Sequence, residues 1–237
     1  MCTLTYVPQI GDELNFILTD NRDESVNRPA KFPKVYSELN SQLFYPKDKR
    51  AGGTWFGIGK EKRAMALLNG AFKRHKRAIS YRKSRGLVVK ELLAAKDLKK
   101  TIENYDFTGI EAFFGVIFSW ENQMEIIEVI WDGEKKYLNN KAAKEPHIWS
   151  SAMTFSLEEH VKKEMNFQTF LKENQQAENL SELLWKFHQS KEAGMILDYG
   201  VLKTTSVSRF TKKGRNQYFK YRDLITKEEE EKMILWE

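Results

Sequence analysis

The sequence predicts a mixed α+β fold, built as one domain in which sheets stack with helices packed outside them, and three observations carry that expectation. Strand-length apolar runs come in pairs separated by short polar turns, two regions show helical spacing of apolar residues, and the order along the chain is strands, helices, strands, helices, strands. The 237 residues, 41% of them hydrophobic and 13% aromatic, are enough to bury one sizeable core, so a single domain spanning residues 1–237 is expected. Phe and Trp are spread along the chain, which argues against long disordered regions.

Cys2 to Val7 reads as a first strand. Glu13 to Thr19 reads as a second, with Leu14, Phe16 and Leu18 on one face by the two-residue period, and Gly11 and Asp12 supply the turn between them. The polar run Asp20, Asn21, Arg22, Asp23, Glu24 is expected to end the second strand, with a loop around Pro29 and Pro33 beyond it. Thr54 to Gly59 and Ala64 to Asn69 form a second expected hairpin across the charged turn Lys60 to Arg63. Leu87, Val88, Leu92 and Leu93 recur at helical spacing after Ser84, and Asp97 is positioned to cap a continuation carrying Leu98, Ile102 and Tyr105.

Phe113 to Trp120 and Met124 to Trp131, rich in β-branched and aromatic residues, make a third hairpin. Ser156 followed by Glu159 matches a capping box ahead of a helix carrying Val161, Met165, Phe167 and Phe170. A further helix holds Leu180, Leu183, Leu184 and Phe187. Thr204 to Phe210 and Gln217 to Tyr221 read as strands around a turn at Gly214.

Composition narrows the function classes. No basic segment followed by an apolar run opens the chain and no stretch is long and apolar enough to cross a bilayer, so neither secretion nor a membrane span is expected and a cytoplasmic address is the default. A single cysteine excludes an intramolecular disulfide and a cysteine-rich metal cage. His75, His147, His160 and His188 show no metal-ligand spacing, and Gly57, Ile58, Gly59, Lys60 completes neither a dinucleotide loop nor a P-loop, so neither a metal nor a resident cofactor is expected. The net charge of +6 is modest against 39 basic and 33 acidic residues; the local cluster Lys73, Arg74, Lys76, Arg77, Arg82, Lys83, Arg85, with no acid in it, is the more informative feature. That cluster reads either as a solvated loop or as a receptor for an anionic ligand. No nucleic-acid-binding motif accompanies it, so nucleic acid is not an expected partner.

Three elements could carry chemistry. Cys2 follows the initiator methionine and is small enough for that methionine to be trimmed, which would leave a free α-amine beside a thiol. An α-amine titrates near ~8, so its neutral fraction can take the proton from the thiol of the same residue, and the thiolate is the nucleophilic form. The alternative is a small buried apolar residue. Arg22 and Asp23 follow the strand that should pair with the one holding Cys2; an Arg could lower the thiol pKa or bind a substrate anion, and an Asp could orient the amine. Neighbours in a strand face opposite sides, so both reach Cys2 only if the chain bends there. Asn69 ends a strand, where an amide N–H could stabilise an oxyanion.

Met1-Cys2, the tetrad Asn21-Arg22-Asp23-Glu24 followed by Arg28-Pro29, the block Gly52-Gly53-Thr54-Trp55-Phe56-Gly57-Ile58 and the strand ending at Asn69 together resemble the NRDE family, the transport and Golgi organisation protein 2 family. The match is dense over the first 70 residues. The resemblance implies a four-layer αββα sandwich of the N-terminal-nucleophile hydrolase type, similar to choloylglycine hydrolases and penicillin V acylases. It implies an amide (C–N) hydrolase acting on a small molecule, with Cys2, Arg22, Asp23 and Asn69 catalytic and Asn21, Trp55 and Ser151 at the substrate; Arg74 and Arg77 join the substrate-binding candidates from the cationic cluster, as receptors for an anionic group. The chain departs from those enzymes in three places. Their Arg and Asp are three apart whereas Arg22 and Asp23 are adjacent; an Asn after a Ser is replaced by Ser151; and Glu158, Glu159 and His160 occupy the neighbourhood of a downstream Arg. A second reading, also implied by the family, is a non-catalytic carrier of haem or acyl-coenzyme A in the same cleft, with the cationic cluster receiving propionates or phosphates. No oligomeric state follows from the sequence.

Overall fold

The computed structural model describes residues 2–9, 14–174 and 176–236, with the backbone alone described for Cys2. In chain order its elements are β1 (Cys2–Pro8), β2 (Phe16–Ser25), β3 (Ala30–Glu38), β4 (Ser41–Asp48), β5 (Phe56–Gly59), β6 (Arg63–Asn69), α1 (Arg85–Leu93), α2 (Leu98–Asn104), β7 (Phe113–Ser119), β8 (Glu125–Trp131), β9 (Lys136–Lys141), β10 (His147–Ser150), α3 (Leu157–Asn174), α4 (Leu180–Phe187), β11 (Asp198–Tyr199), β12 (Leu202–Lys213), β13 (Asn216–Asp223) and β14 (Glu229–Met233). They fall into two compact units, each with one antiparallel sheet and one pair of helices.

The first unit comprises Met1–Asn27, Glu145–Ser150 and Thr154–Met233. Its sheet runs β10-β1-β2-β12-β13-β14, with β11 paired to β12. Odd-numbered residues of β1 and β2 face α3 and α4: Val7 and Ile17 pack with Phe167 and Leu171 of α3 and with Leu180, Leu184 and Phe187 of α4. Even-numbered residues, among them Leu4, Tyr6, Phe16 and Leu18, are equally buried on the other face. Both faces of β2 are therefore covered, which is why its first eight residues are all buried.

The second unit comprises Arg28–Lys144, Ser151–Met153 and Ile234–Glu237, and its sheet is a meander in chain order, β3 to β9. The near-continuous apolar runs of β6, β7 and β8 are what a centre buried on both faces demands. At the rim, β9 exposes all but its first residue and carries Lys at both ends, a sequence that blunts an open edge. Leu43, Tyr45, Met65 and Leu67 of the sheet pack against Val88, Val89, Leu92 and Leu93 of α1.

The expected caps are present: Asp97 accepts from Lys100 N (3.0 Å), and at the start of α3 Ser156 Oγ accepts from Glu159 N (3.3 Å) while Glu159 accepts from Ser156 N (2.7 Å). The three expected hairpins are antiparallel pairs β1–β2, β5–β6 and β7–β8, and β12–β13 turns at Gly214 (φ 57°). The turn expected at Gly11 and Asp12, and the strand start at Glu13, lie outside the described residues.

Three expectations are corrected. Asp20 to Glu24 do not end the second strand but lie within β2, because β12 pairs along its other edge as far as Ser25. The loop around Pro29 and Pro33 is instead β3 and β4; β3 is an edge strand, and Pro33 falls at an irregularity between Lys31 and Lys34, where a missing N–H costs no ladder bond. On α3, Phe167 and Leu171 face the core, whereas Val161 and Met165 are 49% and 64% exposed. The short or polar strands β9, β10, β11 and β14 were not expected.

Candidate active site

The tetrad lies at the centre of the first unit's sheet. In the β1–β2 register the Cα of Cys2 is opposite that of Arg22 and Thr3 is opposite Asn21. On the other edge Asp23 pairs with Thr204 and Arg22 with Ser206, so Thr205 is an extra residue on β12, and its Oγ1 donates to Arg22 O (3.2 Å). A bulge bends the strand and re-aims side chains locally, and this one sits beside Arg22 and Asp23.

Asn21 and Asp23 share the face that meets α3 and α4. Asn21 is fully buried, and its Nδ2 donates to the carbonyls of His188 (2.9 Å) and Met195 (2.7 Å), which fixes the amide orientation. Its Oδ1 therefore accepts, and the partner 2.6 Å away is His188 Nδ1, which must carry the imidazole proton. His188 Nε2 is left to accept from Thr5 Oγ1 (2.8 Å). Burial drives the His188 pKa down to about 3, so the ring is neutral. Asn21 is thereby committed to tying β2 to the end of α4.

Asp23 is 1% exposed. Its Oδ1 accepts from Thr204 Oγ1 (2.6 Å), whose own lone pair takes the Leu197 N–H (2.8 Å), so the threonine proton is directed at the carboxylate. Asp23 Oδ2 has no hydrogen-bond partner among the described residues. Burial raises the Asp23 pKa to about 6, opposed by the Thr204 hydroxyl and by the charge of Lys163. Lys163, reaching in from α3, donates to Thr3 Oγ1 (3.3 Å) and Gly194 O and lies 4.2 Å from the Phe155 ring centroid. Its pKa falls to about 8 through burial, with Asp23 and Glu159 acting the other way. One edge of Lys163 borders a cleft of about 380 Å³ whose rim includes Phe155, Glu159, Leu197 and Tyr199.

Arg22 is on the opposite face of β2, 4% exposed, in a polar band with Asp20, Ser206, Ser208 and Tyr221, all buried. Burial lifts the Tyr221 pKa to about 12, while Ser206 and Arg22 favour its ionised form. Burying a band of this polarity on a covered sheet face costs stability except where its groups are hydrogen-bonded or paired. Arg22 and Asp23 thus address different faces, as strand alternation requires, and Arg22 is the one in register with Cys2.

In the second unit Asn69 ends β6. Ser151, fully buried, donates its hydroxyl to Asn69 O (2.8 Å), and Gly70 follows at φ 79°, with Met153 Cγ only 2.7 Å from where a Cβ would stand. Trp55 is 7% exposed, and its carbonyl accepts from Leu67 N (2.8 Å). Two glycines of the surrounding block are packing residues: a Cβ on Gly53 would lie 2.5 Å from the backbone of Gly86 in α1, and one on Gly57 would press on Leu93 and Tyr45. Arg74 and Arg77 are exposed on the loop between β6 and α1. The cationic cluster around them meets acids contributed by later segments. Arg77 (3.1 Å), Arg85 (3.1 Å) and His75 (3.4 Å) converge on Glu111, Arg82 pairs with Asp106 and Lys83 with Glu91.

Lys163, Thr204 and His188 are the residues that sequence reasoning missed. Lys163 had a signal: it precedes Phe167 and Leu171 at four-residue spacing, a charge on the apolar stripe of α3. Thr204 and His188 had none, since their partners lie 181 and 167 residues away. Among the described residues no group of three or more His, Cys, Asp or Glu could hold a metal ion.

Comparison with known proteins agrees with this architecture. A family model described as Transport and Golgi organisation 2 matches residues 1–223. No curated protein sequence matches the chain. Among solved structures, the chain is similar to penicillin V acylase from Agrobacterium tumefaciens (TM-score 0.60, 10% identity, covering 97% of this chain and 84% of that one) and to the C2A mutant of conjugated bile acid hydrolase from Clostridium perfringens (TM-score 0.58, 10% identity, 100% and 97%). It is also similar to an N-acylethanolamine-hydrolyzing acid amidase ortholog from Caenorhabditis elegans (TM-score 0.55, 8% identity, 88% and 92%). The fold class is therefore the expected one, α+β with two antiparallel sheets, of the N-terminal-nucleophile hydrolase type.

Proposed function

The chain belongs to the Transport and Golgi organisation 2 family, and from that premise we propose that it is an N-terminal-cysteine hydrolase of amide or related C–N bonds in a small molecule. The observation that carries the proposal is the central strand pair, in which Cys2 stands opposite the buried Arg22 while the next residue, Asp23, holds a buried carboxylate oxygen without a partner among the described residues. A buried carboxylate with one open oxygen is suited to receive an α-ammonium group. The likeness to a penicillin V acylase, a bile acid hydrolase and an acid amidase supports the same reaction class through the fold alone.

In the proposed reaction Met1 has been removed, and the neutral α-amine of Cys2 takes the proton from Sγ. The sulfur forms a bond to the acyl carbon and the carbonyl electron pair moves to oxygen. Asn69 and a backbone N–H are assigned to that oxyanion on the strength of the sequence resemblance. Collapse breaks the C–N bond, and the departing amine carries away the proton held by the α-ammonium. Water, deprotonated by the α-amine, then adds to the thioester; Sγ leaves as thiolate and the acid is released. Asp23 would hold the α-amine in place, and Arg22 would stabilise the thiolate or a substrate carboxylate.

The carrier alternative draws less support, because Arg77, Arg82, Lys83 and Arg85 are already paired with acids. The test is the intact mass of the protein from its native host, the labelling rate of Cys2 by iodoacetamide at neutral pH, and turnover of an amide panel by wild type and Cys2→Ala. Loss of Met1, fast labelling and turnover abolished in Cys2→Ala are expected. A retained Met1 with an inert Cys2 would sink the hydrolase and leave ligand binding to be pursued.

A further inference from the structure

We infer that Lys163 is a positioning residue of the proposed hydrolase, a built-in countercharge that keeps Asp23 ionised from the helix side of the sheet and so sets the protonation of the amino-terminal cysteine; the inference rests on the hydrolase reading for its consequence at Cys2. Its geometry stands independently of that reading. Lys163 is the one charged residue on the core stripe of α3, four residues before Phe167 and eight before Leu171, and it is 4% exposed. A helix that needed only to cover the sheet would place an apolar side chain there, since taking an ammonium out of water costs stability that its partners only partly return.

The side chain is anchored rather than free. It donates to Thr3 Oγ1 (3.3 Å) on β1 and to Gly194 O, and its charge is offset by the face of Phe155. Thr3 pairs with Asn21, so the ammonium sits one diagonal step along the same sheet face from Asp23. The carboxylate is held in turn by Thr204, whose hydroxyl is oriented by the Leu197 N–H. Two anchored groups of opposite charge on one buried face, with one carboxylate oxygen left over, form a relay from α3 to the edge where β1 begins.

The other groups in the electrostatic field of Lys163 do not supply the same function. Glu159, one turn earlier on α3, is occupied by Ser156 N and the Tyr199 hydroxyl. His160 shares its Nδ1 with Ser150 Oγ (2.5 Å), and its pKa is lowered by burial and by Lys163. His188, at the end of α4, is neutral and bound to Asn21 and Thr5. Asp23 is the carboxylate whose ionisation the lysine controls, and the control is mutual, since each charge favours the other.

The experiment reads the rate of Cys2 alkylation by iodoacetamide against pH in Met1-free protein, for wild type, Lys163→Met, Lys163→Arg, Asp23→Asn and the Lys163→Met, Asp23→Asn double variant. Lys163→Met is expected to move the acid limb of the profile up by about one pH unit. Lys163→Arg should restore most of that shift, and Lys163→Met should add nothing in the Asp23→Asn background. A Lys163→Met profile that overlays wild type, in a protein of unchanged circular dichroism, overturns the inference. Should Lys163→Met not fold, or should Cys2 of the wild type prove inert and so remove the hydrolase reading, the ¹³C carboxyl titration of Asp23 in wild type decides alone. It should show a second inflection near pH 8, where Lys163 loses its proton. A single-step curve without it refutes the coupling.

Discussion

Acidification from pH 7.5 to 5 separates two buried titratable groups on the helix-facing side of the first unit's sheet, His188 and Asp23, because they act on stability with opposite sign. His188 has a folded pKa of about 3, below its unfolded value near ~6.5. As pH falls below that unfolded value the unfolded chain takes up the proton first, so stability is lost, by about 2 kcal/mol at pH 5. Asp23 has a folded pKa of about 6, above its unfolded value near ~3.9, so the folded chain takes up the proton first and stability is gained as pH falls through 6, by about 1 kcal/mol at pH 5. Wild type should therefore lose about 1 kcal/mol from this pair, and Asp23→Asn, which keeps the shape and the Thr204 contact, should lose about 2 kcal/mol. Removing the carboxylate beside Lys163 acts in the same direction. Urea unfolding of both proteins at a series of pH values measures the difference, in which the remaining groups cancel. Parallel stability curves for the two proteins would refute the placement of a protonatable Asp23 in the folded state.

Three further outcomes are expected. Asn21→Ala should cost about 3 kcal/mol in urea unfolding, because it strands the His188 Nδ1 proton and two buried carbonyls at once. Glu111→Gln should cost about 2 kcal/mol, since Arg85, 12% exposed, loses its countercharge, whereas Arg77→Ala, at a side chain 59% exposed, should change stability by less than about 0.5 kcal/mol; the same assay on both variants tests the contrast. Gly53→Ala should destabilise by about 2 kcal/mol or prevent folding, visible as a lowered melting temperature, because its Cβ would stand 2.5 Å from the Gly86 backbone.

The parts of the fold legible in the sequence were those set by local chemistry. The β-branched and aromatic content of Phe113–Ser119 and Glu125–Trp131, the Asp97 cap and the Ser156 capping box each specify their element within a few residues. Elements whose stability comes from a distant partner were not legible. Asn21 to Glu24 are polar enough to read as a strand end, and only pairing with Leu202–Ser206, nearly two hundred residues later, keeps them in β2. β3 hides behind Pro33 for the same reason, and Val161 and Met165 of α3 have the right spacing but the wrong face. At the candidate site, the resemblance picked out Arg22, Asp23 and Asn69 by type. That Arg22 and Asp23 face opposite sides was legible from alternation; that Lys163 reaches the sheet face that carries Asp23 required the tertiary structure.

The family signature mixes two kinds of constraint that a motif cannot tell apart. Asn21 is spent on His188 and Met195, and Gly53 and Gly57 on close approach to α1 and its neighbours; replacing any of them removes packing or hydrogen bonds from the scaffold. Arg22 and Asp23 are buried charges, and taking a charge out of water costs stability that its partners only partly return, so neutral residues would serve the scaffold as well. The two classes should respond oppositely to removal of the amide or the charge. Asp23→Asn should hold or raise stability at pH 7.5 while altering Cys2 reactivity, and Asn21→Ala should lose stability whatever it does to Cys2. Loss of activity in a signature variant therefore identifies a reacting group only when stability is measured beside it, and the pair of readouts sorts the tetrad residue by residue.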